Sequence, residues 1–403
     1  MKHSKPFQAI IILLCTIISI ALLTASSAYS QTQWHPAILP PEHKTVIDET
    51  SGEKIIYVTT SKASDTNLYF HDRCWLSDEK MMLFYSDRTG RTELFGYLID
   101  SGELVALNRP QDHAAMRAVA SKMENNIYVV RENIIYKWHI ERNAASPTVT
   151  ENRLCAFPEG LKQVSGLNES CDGKWISYGY KLNENVWRIC VADARNGETR
   201  IITELGFPVG HIQFSRTAPN LLSFCREYPG GDRAPAIPDT LPHARIWFLN
   251  IDTGAYTPAF YQQPDELVTH ECFWVNNLMT FCGGHRREEA HVKTIDLLTG
   301  EIRIIGTGAW WEGGAPEIMS KYNWWHASGS PDGNWVAADN WHGIIALFNA
   351  RTTEMKILTR NHRTYGSGAH PHVGWDLSGK RVEFTSNKFG NPDVCVAIIP
   401  NNW

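Results

Sequence analysis

The sequence has few helical patterns and no excess of basic residues, and these absences exclude several classes of protein. Apolar residues seldom recur at intervals of three and four, so an all-helical fold is not expected. None of the nine cysteines forms a C-x-x-C pair, which argues against a cysteine zinc site. The formal net charge of −5 argues against a general nucleic-acid binder, because such a protein presents a basic face.

Long apolar runs are also missing, except at the beginning of the chain. Two lysines precede an apolar run from Ala9 to Leu23, and a stretch of small residues ends in Ala28-Tyr29-Ser30. This order is typical of a signal peptide with its cleavage site. We therefore expect residues 1–30 to be removed and residues 31–403 to be periplasmic or secreted, without stable membrane insertion. An uncleaved membrane anchor is the alternative.

Four of the eight cysteines of the mature chain lie in apolar surroundings. Cys190, Cys225, Cys282 and Cys395 each fall within an apolar, strand-like run. Such cysteines are typically buried free thiols. Export would permit disulfides, but the spacing does not say which cysteines would pair.

A repeated four-strand unit accounts for most of the mature sequence. Each copy has a short strand, a turn such as Ser330–Gly333, an apolar strand such as Trp335–Ala338, and then two further strands. The turn between the third and fourth strands opens with Asp and closes with Gly, because both tolerate the left-handed backbone of tight hairpins. Seven copies, spaced by 43 to 59 residues, begin near Phe70, His113, Ser165, His211, His270, His326 and His370.

Seven such copies predict a seven-bladed β-propeller, an all-β fold formed by residues 31–403 as a single domain. A blade cannot bury both faces alone, so the copies must stack radially into a closed ring. We expect Lys54–Val58 to supply an outer strand to the last blade, Val382–Ile399, and so close the ring. Two smaller β domains are the alternative, but no Pro- or Ser-rich linker separates them.

Histidines recur at the beginning of successive repeats. His211, His270, His326 and His370 open four repeats, and His372 follows His370 by two residues. Because the first strand of each blade lines the central channel, these residues should converge at one end of it. Neutral imidazoles suit manganese, iron and zinc, so the set predicts a metal site. The alternative for each histidine is a hydrogen bond within its own blade.

An arginine interrupts the apolar run Ala244–Leu249. Arg245 must be paired or face the channel, because an isolated buried charge is costly. His270 lies in the next blade, so the two residues should be neighbours. An arginine beside a metal could bind a carboxylate through two hydrogen bonds and its charge. A structural ion pair is the alternative.

At these residues the chain resembles the oligogalacturonate lyase family, whose members are seven-bladed propellers. The resemblance covers most of the mature chain and is strongest from His211 onward. The matching stretches are Ala244–Trp247, Thr269–Trp274, His326 with its Asp332-Gly333 turn, Ala369–His372, and Phe384–Asn387 through Pro400.

The resemblance implies roles for these residues. His326, His370 and His372 would bind a divalent metal, which is typically manganese in the family. His270 would be the base that removes the C5 proton of a uronic acid, and Arg245 would bind the substrate carboxylate.

Two positions depart from the family pattern. Ser367 stands where the family has a glutamine ligand, and Arg226 stands where it has a histidine after the cysteine matching Cys225. We expect Ser367, water or another glutamine such as Gln213 to complete the metal site. We also expect Arg226 and His211 to contact the substrate.

The predicted function is therefore a metal-dependent lyase acting on short acidic oligosaccharides. Loss of the C5 proton builds negative charge on the uronate carboxylate, and a metal with an arginine can stabilise this charge. A neutral histidine can take the proton. Two alternatives remain open: a lyase for a different uronate-containing oligosaccharide, and a non-catalytic periplasmic propeller that binds a sugar or a protein.

Overall fold

The computed structural model describes most of the chain after residue 30. The described residues are 31–115, 117–142, 146–161, 163–229, 231–236, 242–286, 288–309, 322–362, 369–400 and 403. The predicted signal peptide lies outside these residues.

The first half of the chain forms four N-terminal strands and then three blades. The N-terminal strands are β1 (Thr32–Trp34), β2 (Ala37–Leu39), β3 (Lys44–Ile47) and β4 (Lys54–Tyr57). Blade 1 consists of β5 (Asp65–Asn67), β6 (Met81–Ser86), β7 (Glu93–Leu98) and β8 (Leu104–Ala106). Blade 2 consists of β9 (Arg117–Ala120), β10 (Asn126–Arg131), β11 (Ile134–Arg142) and β12 (Pro147–Ala156). Blade 3 consists of β13 (Gln163–Glu169), β14 (Trp175–Asn183), β15 (Val186–Asp193) and β16 (Thr199–Leu205).

The second half of the chain forms the remaining four blades. Blade 4 consists of β17 (Val209–Phe214), β18 (Leu221–Arg226), β19 (Ile246–Asn250) and β20 (Tyr256–Pro258). Blade 5 consists of β21 (Leu267–Phe273), β22 (Leu278–Gly284), β23 (His291–Asp296) and β24 (Ile302–Gly306). Blade 6 consists of β25 (Trp324–Gly329), β26 (Trp335–Asn340), β27 (Ile345–Asn349) and β28 (Met355–Thr359). Blade 7 takes β29 (Gly374–Trp375), β30 (Arg381–Ser386) and β31 (Asp393–Ile398) from the end of the chain.

The predicted closure of the ring is confirmed. β4 pairs antiparallel with β31, and Ile55, Ile56 and Tyr57 lie opposite residues 397, 396 and 395. β3 then pairs with β4, so blade 7 is a five-stranded sheet built from both ends of the chain. The seven sheets form the predicted seven-bladed β-propeller.

Two short strands extend other blades in a way that the repeat pattern does not predict. β1 pairs with β12 at the outer edge of blade 2, and β2 pairs with β8 at the outer edge of blade 1. Each strand has only three residues and is not fully buried, so its sequence carries little hydrophobic signal. These strands cover edges that would otherwise be open to pairing.

The hydrophobic core lies between neighbouring blades. One buried cluster joins Val394 of blade 7, Phe84 of blade 1 and Ile127 of blade 2. Another joins Trp274 of blade 5 to Trp324 of blade 6. The second strand of a blade is covered on both faces, which explains why β26 is apolar along most of its length and buried at every residue.

No helix occurs among the residues that the structure describes, and hence none of them forms a helix able to span a membrane. Residues 110–111 lie in a turn, and β9 follows at Arg117–Ala120. All eight cysteines described are free thiols, and all except Cys171 are buried.

A buried carboxyl group joins the last blade to the first. Glu383 of β30 is 3% exposed, and its Oε2 accepts a hydrogen bond of 2.8 Å from the Trp75 indole of blade 1. Burial raises the pKa of Glu383 from 4.5 to about 7. The folded protein therefore holds this proton more tightly than the unfolded chain does.

The free energy of unfolding should fall as pH rises from about 4.5 to 7, because only the unfolded chain ionises Glu383 freely in that window. We predict that Glu383→Gln weakens this pH dependence and stabilises the fold above pH 7 by as much as about 3 kcal/mol. Urea unfolding across this pH range measures both effects. Glu354→Gln, at an exposed position between β27 and β28, is the control. An unchanged pH dependence in Glu383→Gln would contradict the prediction.

Candidate metal and catalytic site

The ring brings five of the predicted histidines together at one end of the channel. The ring centroids of His270 and His326 are 4.2 Å apart, and those of His326 and His372 are 4.5 Å apart. His370 lies 5.5 Å from His372, and His211 lies 6.2 Å from His270. His370 and His372 precede β29 and do not lie within the first strand of their blade, where the repeat pattern predicts them.

Three of these imidazoles could share one cation. One ligand atom from each of His326, His370 and His372 lies within 4.8 Å of the others. The fully buried carboxylate of Asp339 accepts hydrogen bonds from His326 Nδ1 at 3.0 Å and from the His372 backbone N–H at 3.0 Å. This contact leaves His326 Nε2 free to bind a metal, so the residues fit such an ion.

The protonation of the three imidazoles also suits a cation. Burial lowers the pKa of His326 and His372 well below the ordinary value, and it lowers the pKa of His370 as well. Each ring is therefore neutral near pH 7 and has a lone pair to share.

Unusual backbone conformations aim three histidines at this centre. His211, His270 and His372 have φ angles of 46°, 53° and 50°, in the left-handed region that side chains rarely adopt. The pairing of β17 with β18 and of β21 with β22 shifts register at the histidine, as in a β-bulge. Such strain is typical of functional sites, where the surrounding structure compensates its cost.

His270 lies beside the candidate metal ligands in a largely apolar setting. Its ring centroid is 4.8 Å from that of Trp325 and 6.1 Å from that of Phe70. Its Nδ1 lies 3.2 Å from the Thr269 hydroxyl. Burial, with a smaller effect from His326, lowers the pKa of His270 well below its ordinary value. The neutral ring can accept a proton from a group held at the cluster.

Arg245 is ion-paired within the wall of the site. Its Nε donates to Glu271 Oε2 at 3.0 Å, and one terminal nitrogen contacts the Asp232 carboxylate. Glu271 also holds His211, because its Oε1 lies 2.9 Å from His211 Nδ1. Burial opposes ionisation of Glu271, but Arg245 and His211 hold its pKa well below the usual range. The same carboxylate therefore fixes a predicted catalytic residue and a predicted substrate contact.

Three residues of blade 1 complete the cluster, and the repeat pattern did not single them out. The Tyr69 hydroxyl lies 3.4 Å from His211 Nε2, and its ring centroid is 4.7 Å from that of His372. His71 Nδ1 lies 2.9 Å from Asp72 Oδ1, and its ring is 5.4 Å from that of His211. His71 follows the predicted repeat start at Phe70 by one residue, so the spacing of the repeats could have indicated that it lies near the other histidines.

One predicted contact lies away from the cluster, and another lies outside the described residues. The Arg226 guanidinium stacks on Phe207 and Tyr228, at 4.6 and 4.5 Å from their centroids, and its role as a substrate contact stays a prediction. Ser367 lies outside the described residues, so its role as a ligand also stays a prediction.

Gln213 does not offer a ligand to the metal site, contrary to the possibility raised above. Its Nε2 donates to the backbone oxygen of Glu271 at 2.9 Å. Its Oε1 accepts a hydrogen bond from the backbone N–H of Phe273 at 3.2 Å. Both amide atoms therefore support β21, the strand that carries His270.

A second group of possible ligands lies nearby but suits a cation less well. Ligand atoms of His211, Cys225 and Glu227 lie within 4.8 Å of one another. Burial raises the pKa of the Cys225 thiol well above its ordinary value, so the thiolate that metals prefer is disfavoured. Arg245 also places a positive charge 3.9 Å from Glu227.

Comparisons with known proteins agree with the motifs. No family model matches the chain. The oligogalacturonide lyase of Pectobacterium atrosepticum is 22% identical over 403 residues, covering 90% of this chain and 98% of that protein. The oligogalacturonate lyase of Dickeya dadantii is 20% identical, covering 89% and 96%. The resemblance to oligogalacturonate lyases is confirmed.

Solved structures of oligogalacturonate lyases share the fold. The enzyme of Vibrio parahaemolyticus has a TM-score of 0.74 and 18% identity, covering 92% of this chain and all of that one. An oligogalacturonate lyase in complex with manganese has a TM-score of 0.73 and 16% identity, covering 91% and 99%. The chain therefore shares the seven-bladed fold of these structures.

Asp339 should control metal affinity, because it orients both His326 and His372. We predict that Asp339→Asn weakens Mn²⁺ binding by about 10-fold to 100-fold. Titration calorimetry measures this affinity. Asp332→Asn, in the turn before the strand that carries Asp339, is the matched control. Equal affinity in Asp339→Asn and the control would show that the carboxylate does not position the ligands.

Proposed function

We propose that this chain is a metal-dependent lyase that cleaves short uronic-acid oligosaccharides of the oligogalacturonate type by β-elimination. The observation that carries the proposal is the convergence of His326, His370 and His372, whose ligand atoms lie within 4.8 Å, beside His270 and near Arg245. The two relatives that carry the name of this activity match this chain over nearly their whole length.

The three imidazoles would hold a divalent cation, and manganese is the ion named in one of the similar structures. Such a cation supplies positive charge that stabilises the uronate carboxylate as negative charge builds on it. His326 and His372 are held for this purpose by Asp339, which fixes their orientation before a substrate arrives.

His270 would act as the base. Its neutral ring takes the proton from C5 of the uronate, and the electron pair of that C–H bond forms the double bond between C4 and C5. The bond between C4 and the linking oxygen breaks at the same time. Its electron pair leaves with the neighbouring sugar, whose oxygen then takes a proton from solvent. The product carries a 4,5-unsaturated uronate.

Arg245 would bind the carboxylate of the reacting uronate. Glu271 occupies its Nε, and Asp232 contacts its Nη1. Its Nη2 donates no hydrogen bond to the residues that the structure describes. This nitrogen is suited to a substrate carboxylate, because the buried pairs already fix the plane of the guanidinium.

His211 would contact the substrate. Its ring is held by Glu271 at Nδ1 and by the Tyr69 hydroxyl at Nε2. Arg226 would contact a more distant part of the substrate from its position between Phe207 and Tyr228. We further propose that the protein acts after export, in keeping with the signal-peptide pattern of residues 1–30.

An ultraviolet absorbance assay on digalacturonate tests the proposal, because the unsaturated product absorbs and the substrate does not. We predict a rise in absorbance with added Mn²⁺ and none after treatment with a chelator. Flat traces on digalacturonate and related uronate disaccharides, with every divalent metal tried, would exclude the lyase. A non-catalytic propeller that binds a sugar or a protein would then be the better account.

Substitution of the base separates catalysis from metal binding. We predict that His270→Ala lowers kcat by about 10² to 10⁴-fold, because proton transfer by a positioned side chain contributes this much. Mn²⁺ affinity, measured by calorimetry, should change little. His35→Ala, at an exposed position outside the site, is the control. Wild-type kcat in His270→Ala would remove this residue from the mechanism.

A further inference from the structure

A cleft opens beside the imidazole cluster, between blades 1 and 2, and extends to residues 159–161, which precede blade 3. Its volume is about 730 Å³, within the range of about 300 to 1,000 Å³ that small-molecule sites occupy. A smaller cavity of about 130 Å³, lined by first strands and the turns that follow them, leaves less space for a sugar. The proposed metal and base do not account for this cleft, which is large enough to hold part of a substrate.

Tyr69 connects the cleft to the cluster. Its ring lines the cleft and also lies 4.7 Å from the His372 ring, and its hydroxyl lies 3.4 Å from His211 Nε2. Asp72, the partner of His71, lines the cleft as well. A sugar linked to a uronate at the cluster would thus reach the cleft directly.

The charges of the cleft disfavour a second acidic sugar. Among its described lining residues, Asp72, Glu132 and Glu159 are acidic, and Arg117 is basic. The Glu132 side chain is 60% exposed, and Glu159 is also exposed, so both carboxylates face solvent at the rim. A carboxylate entering this cleft would meet more negative than positive charge.

The other walls of the cleft suit the body of a sugar. Leu161 supplies apolar surface, and Tyr69 and Tyr85 supply aromatic surface, above the buried side chains of Leu68 and Val130. The C–H faces of a sugar ring pack well on such surfaces, while its hydroxyl groups can reach water or polar side chains.

Taking the proposed lyase reaction as its basis, we propose that this cleft binds the leaving sugar and that this sugar is neutral. The preferred substrate is then a galacturonate that carries a 4-linked neutral sugar, ahead of a chain made only of uronates. The metal and Arg245 serve the single carboxylate of the reacting residue, and the acidic rim of the cleft selects against a second one.

Two matched disaccharides test this inference. Both contain the same reducing-end galacturonate, and they differ only at C6 of the 4-linked sugar, which is galactose in one and galacturonate in the other. We expect kcat/KM to be about threefold to fivefold higher for the galactosyl substrate, because exposed charge interactions have about this size. The difference should shrink as NaCl is raised, because salt screens exposed charges.

The double variant Glu132→Gln with Glu159→Gln should bring the ratio of the two kcat/KM values closer to one. Glu354→Gln, an exposed change in the outer turn of blade 6, should leave the wild-type ratio. Equal rates for the two substrates, or a preference for digalacturonate, would overturn the inference and leave the lyase standing. Cleavage of neither substrate would overturn both proposals.

Discussion

Closure of the ring is the interaction on which the rest of the molecule depends. β4, from the beginning of the described chain, completes the sheet of β29, β30 and β31 at its end. This pairing holds the seven sheets in a circle, so their first strands share one axis. Histidines that are 44 to 59 residues apart in sequence thereby become neighbours 4 to 6 Å apart between ring centroids. An open stack of the same blades would not assemble the site.

Two buried carboxylates then hold these neighbouring side chains in fixed orientations. Asp339 receives hydrogen bonds from His326 and His372, and Glu271 receives them from Arg245 and lies against His211. Burying such charges is costly, and each is compensated by charged or polar partners at hydrogen-bond distance. The cost is consistent with a site that must hold several rings in fixed orientations before a substrate binds.

The sequence predicts the scaffold well because blades repeat and their turns have a local chemistry. It also places His326, His370 and His372 in one cluster, because the repeat position determines which end of the channel they face. It does not identify Asp339 or Glu271 as organisers, since their partners come from other strands and blades. The added strands β1 and β2 are missed for a related reason: three residues carry too little pattern to indicate the distant edge that they cover.

The charges of the site fall into two groups with different consequences. Those that serve the proposed reaction, Arg245 and Glu271, are 3% exposed or less, and salt cannot screen them effectively. Those at the rim of the cleft, Glu132 and Glu159, are exposed and contribute small, screened energies. Under the proposed reaction, a change at the rim would alter the preference for the leaving sugar without disturbing the groups that break the bond.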